Sequence, residues 1–315
     1  MTSRRVADTA LCFTTPRKLP RASDLHGRVV VLDIAFAAEA GGSRHGFEQG
    51  TLRFIEALGE RLVCWVDHHD SSHHARFASD PRFHLARKAE HGACPEMVTP
   101  ELVARTPRAD TLVCHGDFDG LCAAAKWLRG GREPYPGCDD DARAVDTCIG
   151  EPSPLGRRLE RALRARPRDH GLCAELVAFL ADGARDEHAL RHFDAVAGAL
   201  EPLEREAERL AAGYRMLGPE LCLVEVPPGT PSYDKTYLLL LGQRLRLMAA
   251  VLDGDTATFA APFDSGVDFL ARFGLSGGMP TRVSVRRADL PGALAALGVA
   301  GALAARAAAP APNDP

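Results

Sequence analysis

The sequence predicts an α/β fold, with a largely parallel sheet in the first half of the chain and a smaller α/β unit in the second half. Short apolar runs typical of strands recur at residues 10–13, 29–32, 62–66 and 112–114. Helical stretches separate them, and a strand that is buried on both faces of a sheet is continuously apolar rather than alternating. We therefore expect parallel strands covered by helices.

The helical elements follow the same order along the chain. An amphipathic helix is predicted over Phe47–Leu62, and a second helix over Gly120–Arg129 opens directly after a strand. From Leu155 to Leu217 the pattern is helical and rich in Arg, Glu, Ala and Leu, which predicts a helical connector or cap. The domain boundaries that we predict are 1–154 for the parallel-sheet domain, 155–218 for the connector, 219–303 for the smaller α/β domain and 304–315 for a flexible Ala/Pro-rich tail.

Composition and charge narrow the functional classes. The chain has 315 residues, of which 46% are hydrophobic and 25% charged, and no apolar run is long enough to span a bilayer. The arginine pair in MTSRRVADTA has no apolar stretch behind it, so we expect a cytoplasmic protein without a secretory signal. A net charge of −4 argues against binding of long duplex nucleic acid. The nine cysteines are scattered, and most lie in apolar runs, as buried thiols do.

Acidic and histidine side chains stand where three of the predicted strands end. They are Asp33, the run Asp67, His68 and His69, and the group His115, Asp117 and Asp119. The carboxyl ends of parallel strands line one crevice, so these side chains should converge. Clustered carboxylates disfavour one another's charge, and a multivalent cation relieves this repulsion. A carboxylate-rich set with imidazole and no thiolate favours Mn²⁺ or Mg²⁺, and enough ligands are present for two ions.

Two of these motifs resemble the signatures of the DHH-family phosphoesterases, which include RecJ exonucleases, nano-RNases, cyclic-dinucleotide phosphodiesterases and family II pyrophosphatases. Asp67-His68-His69 is similar to the third family motif, and His115-Gly-Asp117-Phe-Asp119-Gly120 to the first. VVVLD, which ends at Asp33, resembles the second. For the fourth motif the best match is Asp146, and the run Asp139–Asp141 is the alternative. The motifs run second, third, first, fourth, which we interpret as a circular permutation or strand relocation.

The C-terminal unit resembles the DHHA1-type substrate-binding domain that accompanies these catalytic domains. Gly277 and Gly278, in FGLSGGMPTRVSV, are similar to a glycine-rich loop that approaches substrate phosphate. Relatives often carry a histidine after these glycines. Here Met279 stands at that position, so Arg282 could supply the missing phosphate contact.

The resemblance implies a metal-dependent phosphoesterase that acts through water activated between two divalent ions, most simply Mn²⁺, with Mg²⁺ as the alternative. The implied catalytic residues are Asp33, Asp67, His68 and His69. The implied metal ligands are Asp33, His68, His115, Asp117, Asp119 and Asp146. The implied substrate contacts are His69, Gly277, Gly278 and Arg282. The implied substrate is a small nucleotide or short oligonucleotide, such as an oligonucleotide end, a cyclic dinucleotide or a phosphoadenosine phosphate. A homodimer is compatible with this assignment.

Two other functions remain open on the sequence. The altered motif order and Met279 suggest a sensor module that binds nucleotide or metal without turnover. An inorganic pyrophosphatase is the second alternative. The composition disfavours a processive nuclease, because such an enzyme needs a continuous basic groove.

Overall fold

The computed structural model describes residues 4–6, 8–37, 46–275 and 280–299. It divides into two compact units, Met1–Gly198 and Ala199–Pro315. The tail predicted over 304–315 lies outside the described residues. Among the described residues, no helix combines the length and the apolar composition that crossing a membrane requires.

The first unit contains a six-stranded sheet in the order β1-β2-β6-β3-β4-β5. Its strands are β1 (Arg4–Val6), β2 (Thr9–Thr14), β3 (Val29–Leu32), β4 (Leu62–Asp67), β5 (Phe83–Leu85) and β6 (Thr111–His115). Strand β1 pairs antiparallel with β2, and every other pairing is parallel. The predicted parallel sheet is confirmed, because all four apolar runs form its inner strands. The two edge strands β1 and β5 were not predicted.

Helices cover both faces of this sheet. They are α1 (Arg53–Leu58), α2 (Pro100–Arg105), α3 (Phe118–Leu128), α4 (Cys138–Thr147), α5 (Pro154–Ala165), α6 (His170–Ala181) and α7 (Glu187–Ala197). Val30 and Leu32 point into the core beneath α3, α5 and α6, whereas Val29 and Val31 pack on the side of α1. All four valine and leucine side chains of β3 are therefore buried, as the uninterrupted apolar run predicted.

The predicted helix over Phe47–Leu62 is shorter and less regular than its amphipathic pattern indicated. A π-helical turn over Phe47–Leu52 leads into α1, and a 3₁₀ turn over Gly59–Arg61 follows it. Gly59 adopts a φ of +54°, which ends the regular helix. Leu62 is the first residue of β4, as the apolar run 62–66 predicted, so the predicted helix wrongly included the first residue of the strand.

The second unit has a five-stranded sheet in the order β11-β10-β9-β8-β7. Its strands are β7 (Arg215–Met216), β8 (Leu221–Val226), β9 (Met248–Asp253), β10 (Thr256–Ala260) and β11 (Arg282–Arg286), and its helices are α8 (Glu201–Ala211), α9 (Lys235–Gln243), α10 (Phe269–Phe273) and α11 (Leu290–Ala296). Only β8 and β9 pair in parallel. Of the helices predicted as a connector, α5 to α7 lie in the first unit and α8 lies in the second.

Candidate metal centre

The candidate site lies where three adjacent parallel strands of the first sheet end. Strand β3 is paired with β6 on one side and with β4 on the other, and Leu32 lies opposite both Cys114 and Val66. Asp33 directly follows β3, Asp67 ends β4 and His115 ends β6. The three side chains therefore meet at the carboxyl edge of the sheet, where ligands bind in open α/β folds.

Asp33 stands at the centre of the cluster in a strained backbone conformation. Its φ is +57°, in the left-handed region that residues other than glycine rarely adopt. The Asp33 amide donates to the Val66 carbonyl at 2.9 Å, and the Trp65 indole donates to the carbonyl of Ile34 at 3.0 Å. These two hydrogen bonds fix the backbone at Asp33 and Ile34. Such strain is typical of functional sites, where the surrounding structure imposes it.

The carboxylate of Asp33 is buried and has no hydrogen-bond donor for either oxygen within the described part of the chain. Burial raises the pKa of Asp33 well above its usual range, and the nearby carboxylates of Asp119 and Asp117 raise it further. A buried polar group without a partner is rare in folded proteins and calls for an explanation. A cation bound at this carboxylate supplies one.

His68 is oriented so that one ring nitrogen faces the acidic cluster. Its Nδ1 lies 2.9 Å from the carbonyl oxygen of His91, which only accepts hydrogen bonds, so Nδ1 carries the proton. The Nε2 atom lies 3.3 Å from Asp33 Oδ1, 3.4 Å from Asp119 Oδ2 and 3.8 Å from Asp146 Oδ2. Fixing one nitrogen through a backbone carbonyl is how proteins orient a histidine metal ligand.

The start of α3 contributes two more carboxylates. Asp117 caps the helix, since its side chain accepts from the Gly120 amide at 3.3 Å, and it also pairs with Nδ1 of His115. Burial disfavours the charged His115 ring, but the Asp117 carboxylate outweighs this effect and raises the pKa of His115. Asp119 is buried, and its Oδ2 accepts from the amide of Cys94 at 3.2 Å.

Gly120 is required at this point because the cluster presses against its α-carbon. A Cβ atom there would lie 2.8 Å from the His115 carbonyl oxygen and 3.0 Å from carboxylate oxygens of Asp117 and Asp33. These distances are shorter than van der Waals contact. The glycine that ends the His-x-Asp-x-Asp-Gly sequence thus lets helix α3 approach the strand ends.

Helix α4 supplies Asp146, which joins the cluster, whereas the alternative run Asp139–Asp141 does not. Asp139 pairs with Lys126, Asp140 with Arg143 at 3.0 Å, and Asp141 accepts from Tyr135 Oη at 2.8 Å. Each of the three acidic residues is therefore engaged elsewhere in the fold. Asp146 instead lies beside His68.

Lys88 is a neighbour of the cluster that the sequence analysis missed. Its ammonium lies 2.6 Å from Asp146 Oδ2, and the side chain is largely buried. Burial disfavours the charged form of Lys88, but the Asp146 carboxylate outweighs this effect and raises the lysine's pKa, so the cation persists. The surrounding sequence RKAEHG carries no periodicity or motif that singles this lysine out.

Asp67 and His69 form a hydrogen-bonded pair at the edge of the cluster. The Nδ1 atom of His69 lies 2.8 Å from Asp67 Oδ1, and 3.8 Å from Asp33 Oδ1. Asp67 is buried, while the His69 side chain is 34% exposed. The Asp67 carboxylate holds the Nδ1 edge of the His69 ring, and the exposed part of the ring is accessible to solvent or a ligand.

Among the described residues, three triplets of ligand atoms lie close enough to hold metal ions, each with its atoms within 4.8 Å of one another. They are Asp33 with His115 and Asp117, His68 with Asp119 and Asp146, and Asp33 with His68 and His69. All six predicted metal ligands are therefore brought together. The donors are carboxylate oxygens and imidazole nitrogens, a set that suits Mn²⁺ or Mg²⁺ better than a thiolate-dependent metal. Burial raises the pKa of the adjacent Cys94 thiol well above its usual range, which keeps it protonated.

The residues predicted to contact substrate from the second unit are only partly described. Gly277, Gly278 and Met279 lie outside the described residues. Arg282 begins β11, is exposed, and donates to Thr236 Oγ1 at 3.2 Å. Its role toward a substrate stays a prediction.

Comparison with known proteins found similarity in structure but not in sequence. No protein-family model matches the chain, and no curated protein matches it. The crystal structure of the exonuclease RecJ bound to manganese is similar with a TM-score of 0.44 and 14% identity, over 88% of this chain and 75% of that one. The pGpG-specific phosphodiesterase PggH of Vibrio cholerae is similar with a TM-score of 0.41 and 10% identity, over 87% of this chain and all of the other.

Proposed function

We propose that this protein is a divalent-metal-dependent phosphoesterase that hydrolyses a small nucleotide or a short oligonucleotide. The observation that carries the proposal is the buried carboxylate of Asp33. Neither of its oxygens has a hydrogen-bond donor within the described residues. The carboxylate forms one potential metal triplet with His115 and Asp117, and its Oδ1 lies 3.3 Å from Nε2 of His68, which forms another triplet with Asp119 and Asp146. A carboxylate shared between two ligand sets is suited to bridging two cations.

Two ions, preferably Mn²⁺, would be held by six side chains. Asp33 would be shared between the two sites, His115 and Asp117 would complete one, and His68, Asp119 and Asp146 would complete the other. When bound, a pair of divalent ions acidifies water near neutral pH and offsets charge on phosphoryl oxygens. The amide of Cys94 and the carbonyl of His91 orient Asp119 and His68 toward their site.

The pair Asp67–His69 would act on the substrate rather than hold metal. Asp67 fixes the tautomer of His69 by accepting from Nδ1, so Nε2 is the atom left to face the substrate. With both ring nitrogens protonated, His69 would donate from Nε2 to a phosphoryl oxygen, or would pass that proton to the departing alkoxide. Lys88 balances the negative charge of Asp146 and keeps the cluster from carrying excess charge.

We further propose that the second unit is a DHHA1-like substrate-binding domain in which Gly277, Gly278 and Arg282 contact substrate phosphate. The permuted motif order is compatible with the site. Strand β6 is the last of the six strands in sequence, but in the sheet it lies between β2 and β3 and is parallel to both. The ends of parallel strands, and not their order in sequence, determine where the ligands meet.

The test is hydrolysis of a panel of substrates with added Mn²⁺. The panel holds a dinucleotide, a cyclic dinucleotide, phosphoadenosine phosphate and inorganic pyrophosphate. We expect metal-dependent turnover of a nucleotide that is lost in Asp33→Ala and Asp67→Ala but kept in Asp140→Ala, since Asp140 is exposed and pairs with Arg143. Turnover of pyrophosphate alone would instead identify a pyrophosphatase, and tight nucleotide binding without any product would identify a sensor.

A further inference from the structure

A cavity of about 680 Å³ in the first unit adjoins the candidate metal centre. It lies between the end of β2, the turn that follows it, the start of α3, and helices α5 and α6. His115 and Asp117, which belong to one metal triplet, are part of its wall. The volume falls within the range of about 300–1,000 Å³ that small-molecule sites occupy.

The cavity combines an apolar interior with a cationic mouth. Its apolar lining comes from Phe13, Phe118, Val145, Leu163, Pro167 and Cys173. Lys18, Arg168 and His170 also line it, and all three are exposed. Arg164, a further cation in the wall, lies 3.5 Å from Glu160, so its charge is partly balanced. A ligand that fits has a flat apolar part and at least one negative group.

Arg168 is placed at this mouth by a strained bend. Its φ is +68°, in the left-handed region, between the end of α5 and the start of α6. The next residue, Asp169, caps α6 by accepting from the amides of Gly171 and Leu172. Arg168 therefore lines the cavity from a strained backbone position, and strain of this kind is common at ligand sites.

We propose that this cavity binds the nucleoside of a substrate whose scissile phosphate lies at the metal centre, with a second phosphate at Lys18 and Arg168. The inference rests on the proposed function and deepens it. The base packs against the apolar lining, where stacking and burial are insensitive to base identity. The exposed cations form charge-assisted contacts with the further phosphate. The substrate class is therefore a nucleotide with at least two phosphates, and inorganic pyrophosphate, which has no nucleoside, would leave the cavity empty.

Binding measurements on the metal-loaded full chain test the proposal without requiring turnover. The probes are inorganic phosphate, adenosine 5′-monophosphate and adenosine 5′-(α,β-methylene)diphosphate, titrated by calorimetry. The test variant is Lys18→Gln/Arg168→Asn, in which asparagine tolerates the left-handed backbone. The matched control is Arg132→Gln/Arg157→Gln, which removes the same charge from exposed residues outside the cavity. Leu163→Trp fills the apolar interior.

We expect the test variant to bind the diphosphate probe about tenfold more weakly than the unmodified protein does, and its affinity for inorganic phosphate to change by less than about twofold. Leu163→Trp should weaken both nucleotides, and the control should match the unmodified protein. The proposal would be overturned if all variants bound the nucleotides with the same affinity as the unmodified protein. It would also be overturned if the test variant lost as much affinity for inorganic phosphate as for the diphosphate probe. Retained metal content and circular dichroism show that each variant is folded. If the protein hydrolyses a nucleotide but all variants bind the probes as the unmodified protein does, only the proposed role of the cavity is refuted. If the variants bind as expected but no nucleotide is hydrolysed, only the proposed phosphoesterase activity is refuted.

Discussion

The Nε2 atom of His68 lies 3.3 Å from Oδ1 of Asp33, and neither atom has a hydrogen-bond partner within the described part of the chain. Because Nδ1 of His68 donates to the His91 carbonyl, the neutral ring presents a lone pair to the carboxylate. Two electron-rich atoms facing each other in a buried site are destabilising unless a proton or a metal ion lies between them.

Without metal, the protein should lose stability as the pH rises. The pKa values of Asp33 and His68 are raised in the folded state, so the folded chain binds more protons than the unfolded chain. Stability then falls with pH from the unfolded pKa of each group through its folded pKa. The lowered pKa of Asp117 acts in the opposite direction below about pH 4, and the lowered pKa values of the half-buried His74 and His84 do so below about pH 6.5, whereas the raised pKa of His115 adds to the fall. Thermal melts in chelator from about pH 5 to about pH 9 should show a falling Tm that saturating Mn²⁺ removes. A Tm that rises over this range would contradict the assignment.

Asp33→Asn should stabilise the metal-free protein while abolishing metal binding. Asparagine removes the buried charge, keeps the shape and tolerates the left-handed φ at this position. We expect a gain of about 1–3 kcal/mol in the free energy of unfolding near pH 8, measured with denaturant in chelator. Asp140→Asn, at an exposed site, is the control and should change neither property. A destabilised Asp33→Asn variant that still binds Mn²⁺ would show that Asp33 is a structural residue.

Asp146→Asn and Asp139→Asn should separate a metal ligand from a structural ion pair. Asp146 lies beside His68 in the cluster, so replacing its carboxylate with a side-chain amide should weaken Mn²⁺ binding at least about tenfold. Asp139 pairs with the buried Lys126, which also donates to the Pro95 carbonyl, so its loss should lower stability and spare metal affinity. Calorimetric Mn²⁺ titration and thermal melts of both variants provide the two readouts. The reverse pattern would move the fourth ligand to the Asp139–Asp141 run.

Gly120→Ala and Gly116→Ala each add one methyl group, at two positions of the same motif. At Gly120 a Cβ would press on the His115 carbonyl and on two carboxylates, whereas at Gly116 the nearest atom is the sulfur of Cys173 at 4.0 Å. We expect Gly120→Ala to lower Mn²⁺ affinity and to destabilise the fold by about 1–3 kcal/mol, as overpacking does. Gly116→Ala should retain near-normal metal affinity and stability. Equal behaviour of the two variants would show that α3 is free to move away from the strand ends.

His68→Gln and His69→Gln should affect different steps. His68 is buried among Asp33, Asp119 and Asp146, so its replacement should release metal. His69 is held by Asp67 and partly exposed, so its replacement should keep most of the bound metal and lower kcat by about 10²–10⁴-fold. Metal content by elemental analysis and steady-state kinetics on the same preparations distinguish the two effects. Loss of metal in both variants would place His69 among the ligands.

Much of the sheet and the core of the site could be predicted from sequence. The runs ending at Asp33 and Asp67 are apolar without alternation, which indicates strands buried on both faces, and parallel strands bring their carboxyl ends to one edge. Convergence of these two residues with His115 therefore follows from local pattern and general topology. The strained φ of Asp33 has no such signal, because an aspartate after a strand is equally compatible with an ordinary turn.

The tertiary structure decided which helix-borne groups join the cluster. Asp146 and Asp139 lie on the same short helix, and nothing in its periodicity says which of them faces His68. The position of Lys88 and the cavity between β2, α5 and α6 likewise depend on contacts between elements far apart in sequence. A strand end is positioned by its ladder of hydrogen bonds, which sequence pattern reveals, whereas a helix is positioned by side-chain packing that only the assembled core determines.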